Sequence, residues 1–128
     1  MHIILADDHA EVRSALRLLL EQEPALHIIG ESIEAADLLT QVRTVSTDLV
    51  LLDWELPGLH PNDLLHQLRS YAPDVLVVAL SGRPEARRLA LTAGADAFVS
   101  KGDPPERLLS TLRSLVQERE KNPRGTPD

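Results

Sequence analysis

The chain contains no cysteine. Disulfide staples, thiolate metal sites and a cysteine nucleophile are excluded together, and the absence fits a reducing compartment. Aromatic residues are nearly missing: Trp54, Tyr71 and Phe98 are the only three in 128 residues. A surface that stacks nucleic-acid bases needs more than that. Positive charge is also scarce, with 13 Lys and Arg against 20 Asp and Glu and a net charge of −7. An acidic domain repels phosphate backbones, so this chain alone is not expected to bind nucleic acid. No apolar run approaches the ~20 residues needed to span a bilayer. The N-terminal MHIILADDHAEV lacks the basic start of a signal peptide. The six glycines form neither GxGxxG nor a P-loop, and His2, His27, His60 and His66 share no metal-ligand spacing.

What is present is ordinary for one globular domain: 43% hydrophobic and 26% charged residues. Short β-rich runs alternate with amphipathic helical patterns. His2–Ala6 is the first run. Val12, Leu16, Leu19 and Leu20 then predict a helix stopping near Glu23-Pro24. Leu26–Gly30 is a short strand, followed by a helix over about 34–44. Asp48–Asp53 has an unbroken apolar centre, as a strand buried on both faces requires. A third helix begins around Pro61 and ends near Tyr71. Val75–Leu80 is another buried strand. Pro84 is expected to open a fourth helix with Gly94 as its C-cap. Ala97–Val99 is a short strand, and Pro104-Pro105 opens the last helix. Residues 1–120 thus form one domain, and 121–128, KNPRGTPD, read as a linker-like tail. Five β–α units in strict alternation predict a parallel sheet with helices on both faces.

In such α/β folds ligands bind beyond the carboxyl ends of the strands. The residues at those ends are Asp7 and Asp8, Asp53, Ser81, and Ser100 with Lys101. A single Asp after a strand is most often a helix N-cap, and a lone Ser or Lys there is usually a turn or a solvated charge. Together they form a coherent set. Clustered carboxylates call for a cation, and Mg²⁺ is the natural partner for hard oxygen ligands. A hydroxyl and an ammonium beside them suit a phosphoryl group. His9, next to the acidic pair, is expected to begin the first helix.

The segments ILADDH, LVLLDWELPG, VVALSG and AFVSKG resemble the receiver domain of bacterial two-component response regulators, over about residues 2–118. The DDH start and the SGRPEARRLALTAGADAFVSKGDPPERLL stretch are most similar to the subfamily that usually carries a C-terminal helix-turn-helix domain. The resemblance implies a flavodoxin-like α/β fold with strand order 2-1-3-4-5, as in the chemotaxis member of that family. It implies that Asp53 accepts a phosphoryl group from a sensor histidine kinase or a phosphotransfer protein. Asp7 and Asp8 would hold Mg²⁺ with Asp53, Asp8 directly and Asp7 through water, and Glu55 would add its backbone carbonyl. Ser81 would bind the phosphoryl oxygen, Lys101 would pair with it, and Phe98 would change rotamer in step with Ser81. The implied setting is a cytoplasmic phosphorelay in transcription regulation, with phosphorylation-dependent homodimerisation and a possible DNA-binding domain beyond this chain.

The sequence departs from the family pattern in four places. Gly102 follows Lys101 where Pro is common, and Pro61 stands where Gly is common. The stretch from Ser81 to Gly94 is shorter than usual. Glu55 and Arg83 place opposite charges at the rim of the pocket, each two residues past a group assigned to the phosphoryl. Two rival readings share the site: a pseudo-receiver that binds constitutively, and a small Mg²⁺-dependent phosphatase with Asp53 as nucleophile.

Overall fold

The computed structural model describes residues 1–121. Five strands, β1 (His2–Ala6), β2 (His27–Ser32), β3 (Leu49–Asp53), β4 (Leu76–Ser81) and β5 (Ala97–Ser100), form one parallel sheet. Their order is β2-β1-β3-β4-β5. The helices are α1 (Ala10–Leu20), α2 (Ala35–Thr44), α3 (Pro61–Tyr71), α4 (Ala86–Thr92) and α5 (Pro105–Lys121). Each helix follows one strand, so every crossover returns the chain to the same edge of the sheet.

The strand period of two divides the core into two layers. On β3, Val50 and Leu52 face α2, α3 and α4, where they meet Leu38, Leu64, Leu68 and Ala90. Leu49 and Leu51 face the other way, towards Leu20 of α1 and Leu112 and Leu115 of α5. Every β3 residue is buried, which explains its continuous apolar run. Each fully buried leucine contributes about 1.5–3 kcal/mol relative to exposure. The outer strand β2 alternates exposed and half-buried positions until the buried Ser32 and carries an irregularity in its pairing with β1 at Ile3/Ile4.

Several boundaries differ from the sequence reading. The first helix ends at Leu20, and Glu21 to Pro24 form turns closed by hydrogen bonds such as Glu23 N–H to the Leu20 carbonyl. Strand β2 starts one residue later than expected and continues to Ser32, because its pairing with β1 runs on to Ala6↔Ser32. Pro84 does not open α4. It lies in a tight turn in which the Ala86 and Arg87 N–H groups bond the Arg83 and Pro84 carbonyls, and the helix proper begins at Ala86. Ala93 is the C-cap, and Gly94 is the next residue, at φ 110°. That conformation favours glycine, so the punctuation was correct although its position is one residue on. The Lys101–Gly102 bond is trans, as are all described peptide bonds. Helix α5 runs through Lys121, and the rest of the linker-like tail lies outside the described residues.

Candidate functional site

Parallel strands bring their carboxyl ends to one edge, and the side chains singled out above converge there. Asp7 follows β1, Asp53 ends β3, Ser81 ends β4 and Lys101 follows β5. Pairing of Asp53 with Leu80 and of Ser81 with Ser100 sets their relative heights. The Lys101 N–H donates to the Ser81 carbonyl at 2.8 Å, which extends the β4–β5 ladder into the site.

Asp7 and Asp53 are almost closed to solvent, at 1% and 2% exposure. Lys101 reaches over them. Its Nζ lies 2.8 Å from Asp7 Oδ2 and 3.5 Å from Asp53 Oδ1. Asp7 Oδ1 accepts the His9 N–H at 2.8 Å and lies 3.0 Å from His9 Nδ1. Arg13 donates from Nη1 to the Asp7 carbonyl at 2.8 Å, anchoring the loop from below. Asp53 Oδ1 also accepts the Glu55 N–H at 3.0 Å. Asp53 Oδ2 differs: it is the only buried side-chain nitrogen or oxygen among the described residues without a hydrogen-bond partner. Buried polar atoms are nearly always paired, so this orphan marks a place where something binds or reacts.

The electrostatics follow from the packing. Burial pushes the Asp53 carboxyl up, and the nearby Asp7 charge adds to the push, outweighing the Glu55 N–H and the Lys101 ammonium. Burial works against the Lys101 ammonium, but the Asp7 hydrogen bond and the Asp53 charge more than offset it and raise its pKa. His9 is raised by its Asp7 hydrogen bond and by the Asp8 charge. Two carboxylates packed together in low dielectric thus borrow positive charge from their neighbours.

The sequence reading did not give His9 a contact in the site, but the structure does. It is the N-cap residue of α1, and its Nδ1 also lies 3.2 Å from Asp8 Oδ1. One ligand atom each from Asp7, Asp8, His9 and Asp53 falls within 4.8 Å of all the others. Three of the four are carboxylates, the donors a hard divalent cation selects. These three carboxylates, one of them with an unpartnered buried oxygen, fit Mg²⁺.

The Glu55 side chain also has a place that sequence reading missed. The fully buried Ser81 hydroxyl donates to the Glu55 carboxylate, with Oε1 at 3.0 Å and Oε2 at 3.1 Å. Ser81 Oγ in turn accepts the Arg83 N–H at 3.0 Å. Arg83 Nη2 meets Glu55 Oε2 at 3.2 Å, an exposed ion pair across the rim. The charge signs pointed to the ion pair; nothing local in the sequence pointed to the serine. Phe98 is buried in the layer that holds Ala86 and Ala90 of α4.

Comparison with known proteins gives one consistent picture. The response regulator receiver domain profile matches residues 3–113. The chain is similar to response regulator UvrY of Escherichia coli K12, 30% identical over 117 residues, covering 90% of this chain and 54% of UvrY. It is similar to the nitrate/nitrite response regulator protein NarL of the same strain, 31% identical over 116 residues, covering 89% of this chain and 54% of NarL. The chain therefore spans about half the length of the curated relatives it matches. Among solved structures, a LuxR-family two-component response regulator from Aurantimonas sp. SI85-9A1 superposes with a TM-score of 0.83 at 26% identity, covering 91% of this chain and 85% of that one. The isolated receiver domain of RcsB from Salmonella enterica serovar Typhimurium, solved with phosphomimetic BeF3⁻, shares the fold with a TM-score of 0.84 at 23% identity, covering 91% of this chain and 88% of that one.

Proposed function

The chain belongs to the response regulator receiver domain family, and from that membership we propose that it is a Mg²⁺-dependent phosphorylation switch with Asp53 as acceptor. The observation that carries this reading is the asymmetry of the Asp53 carboxylate. Oδ1 is held by the Glu55 N–H and the Lys101 ammonium, while Oδ2 is buried with its lone pairs unused. A positioned, desolvated oxygen beside a cation is what in-line attack on phosphorus requires.

The donor is a phosphohistidine of a sensor kinase or a phosphotransfer protein. An Asp53 oxygen supplies the electron pair of the new O–P bond. The N–P bond breaks, and its electron pair stays on the imidazole nitrogen, which solvent protonates. Lys101 stands where it can pair with a phosphoryl oxygen, and Ser81 supplies a hydroxyl to another. Asp7, Asp8 and Asp53 would hold Mg²⁺, with the backbone carbonyl of Glu55 as a further ligand. The bound ion supplies neutralising charge to the phosphoryl oxygens. Ser81 and Phe98 are the moving parts of the switch. Ser81 turns towards the phosphoryl group and vacates space for the Phe98 ring, which has no hydroxyl to satisfy and so moves inward at little cost.

The domain acts on no external substrate. It works in the cytoplasm and self-associates when phosphorylated. Among the described residues no helix is long and apolar enough to cross a membrane. A small phosphodonor with Mg²⁺ tests the reading. A stable acyl phosphate on the wild type and none on Asp53→Asn is the expected result. No modification of either would leave a constitutive binding module, and repeated turnover of a phosphorylated substrate would make the chain a phosphatase.

A further inference from the structure

We propose that Glu55 is a positioning residue that holds the Ser81 hydroxyl before phosphorylation, so that an incoming phosphoryl group must take this hydroxyl from it. The inference rests on the phosphoacceptor reading of Asp53 and deepens it.

The argument is one of proton supply. A serine hydroxyl has a single proton to donate. In this structure that proton is directed at the Glu55 carboxylate, whose two oxygens lie 3.0 and 3.1 Å from Ser81 Oγ. The Arg83 N–H approaches the same Oγ as a donor at 3.0 Å and uses one of its two lone pairs. A phosphoryl oxygen accepts hydrogen bonds and donates none at its anionic positions. It can bind Ser81 only by replacing Glu55.

The surroundings make this exchange selective. Ser81 is fully buried, so water does not compete for its hydroxyl, while the Glu55 side chain is 41% exposed and free to swing outward. Arg83 Nη2 lies 3.2 Å from Glu55 Oε2 and keeps a partner for the carboxylate once the serine has gone. The backbone of Glu55 also touches the acceptor, since its N–H donates to Asp53 Oδ1 at 3.0 Å. One residue thus holds the acceptor through its main chain and the switch hydroxyl through its side chain. A carboxylate stands in for the phosphoryl oxygen, and phosphorylation exchanges one anionic acceptor for another.

The test uses beryllofluoride with Mg²⁺ as the phosphoryl mimic and the fluorescence of Trp54, the only tryptophan, as the readout. Glu55→Ala should tighten beryllofluoride binding by about three- to tenfold, the scale of one net hydrogen bond. Glu55→Gln removes the charge but retains a carbonyl acceptor, so its gain should be smaller. In a Ser81→Ala background the gain from Glu55→Ala should vanish. An equal gain in Glu55→Gln, or a gain that survives in Ser81→Ala, would show simple charge repulsion and overturn the proposal, as would equal affinities of wild type and Glu55→Ala. A signal that does not depend on Asp53 in any variant would overturn the phosphoacceptor reading itself. The contact is checked separately in metal-free protein, by a Ser81→Ala/Glu55→Ala double-mutant cycle in urea. Non-additive stabilities are expected, and strict additivity would remove the contact on which the exchange depends.

Discussion

Lys101 Nζ stands 2.8 Å from Asp7 Oδ2, joining two residues that are 94 positions apart in sequence. The pair is more than a contact at the sheet edge. Asp7 and Asp53 are buried like charges, and Lys101 is the ammonium that faces both. Removing it leaves two carboxylates with too little compensation. Lys101→Ala should therefore cost about 1–2 kcal/mol in metal-free protein, below the range for a fully buried pair because the Lys101 side chain keeps 23% exposure. Urea unfolding measures this, and added Mg²⁺ should restore part of the loss.

Magnesium itself should stabilise the fold. A ligand that binds only the native state at a hundred times its dissociation constant contributes about 2.7 kcal/mol. Asp8 is exposed, so Asp8→Ala should change metal-free stability by less than about 0.5 kcal/mol. The same substitution should abolish most of the Mg²⁺-induced rise in Tm. An equal rise in wild type and Asp8→Ala would place the ion elsewhere.

A pH-dependent contribution is expected away from the site, at Glu31. Hydrogen bonds from Arg17 and then Arg13 hold its carboxyl below the usual range. A depressed carboxylate stabilises the fold fully above its unfolded pKa, near ~4.3. That contribution shrinks as pH falls below this value and is gone beneath the lowered folded value. The stability difference between wild type and Glu31→Gln should be constant from about pH 7 to pH 5 and then close on further acidification. Because the carboxylate is one-third exposed, the difference should also diminish with salt. Denaturant midpoints across pH give both results.

The rim pair should influence how long the phosphoryl group survives. Glu55 and Arg83 are both exposed, so their attraction is worth only about 0–1 kcal/mol. A tenfold change in rate corresponds to ~1.4 kcal/mol. Arg83→Ala should accordingly speed loss of the Asp53 phosphate by about two- to fivefold. Adding Glu55→Ala should then do little more, because the two side chains act as one gate. Half-lives of the phosphorylated single and double variants decide the matter; unchanged half-lives would mean that the pair does not impede water.

Much of the architecture was readable from local pattern. The continuous apolar centre of Leu49–Leu52 marked a strand buried on both faces, and strict β–α alternation required a parallel sheet with its strand ends on one edge. The boundaries that moved did so where non-local pairing overrides composition, as when β2 follows β1 out to Ser32, or where turn bonds compete with a helix start, as at Pro84.

The sequence by itself determined which strand-end groups share one edge, because every parallel strand must deliver its carboxyl end there. Asp7, Asp8, Asp53, Ser81 and Lys101 follow from that rule, and opposite charges at Glu55 and Arg83 follow from equal offsets after two strand ends. Only the tertiary structure decided how these groups are partnered. Lys101 lies nearer to Asp7 than to Asp53, His9 bridges the acidic pair, Asp53 Oδ2 is left without a partner, and the Ser81 hydroxyl is held by Glu55. The physical reason is that secondary structure depends on short-range periodicity. A hydrogen bond across strand ends depends instead on ångström-scale register and burial, which arise only when all five strands are packed.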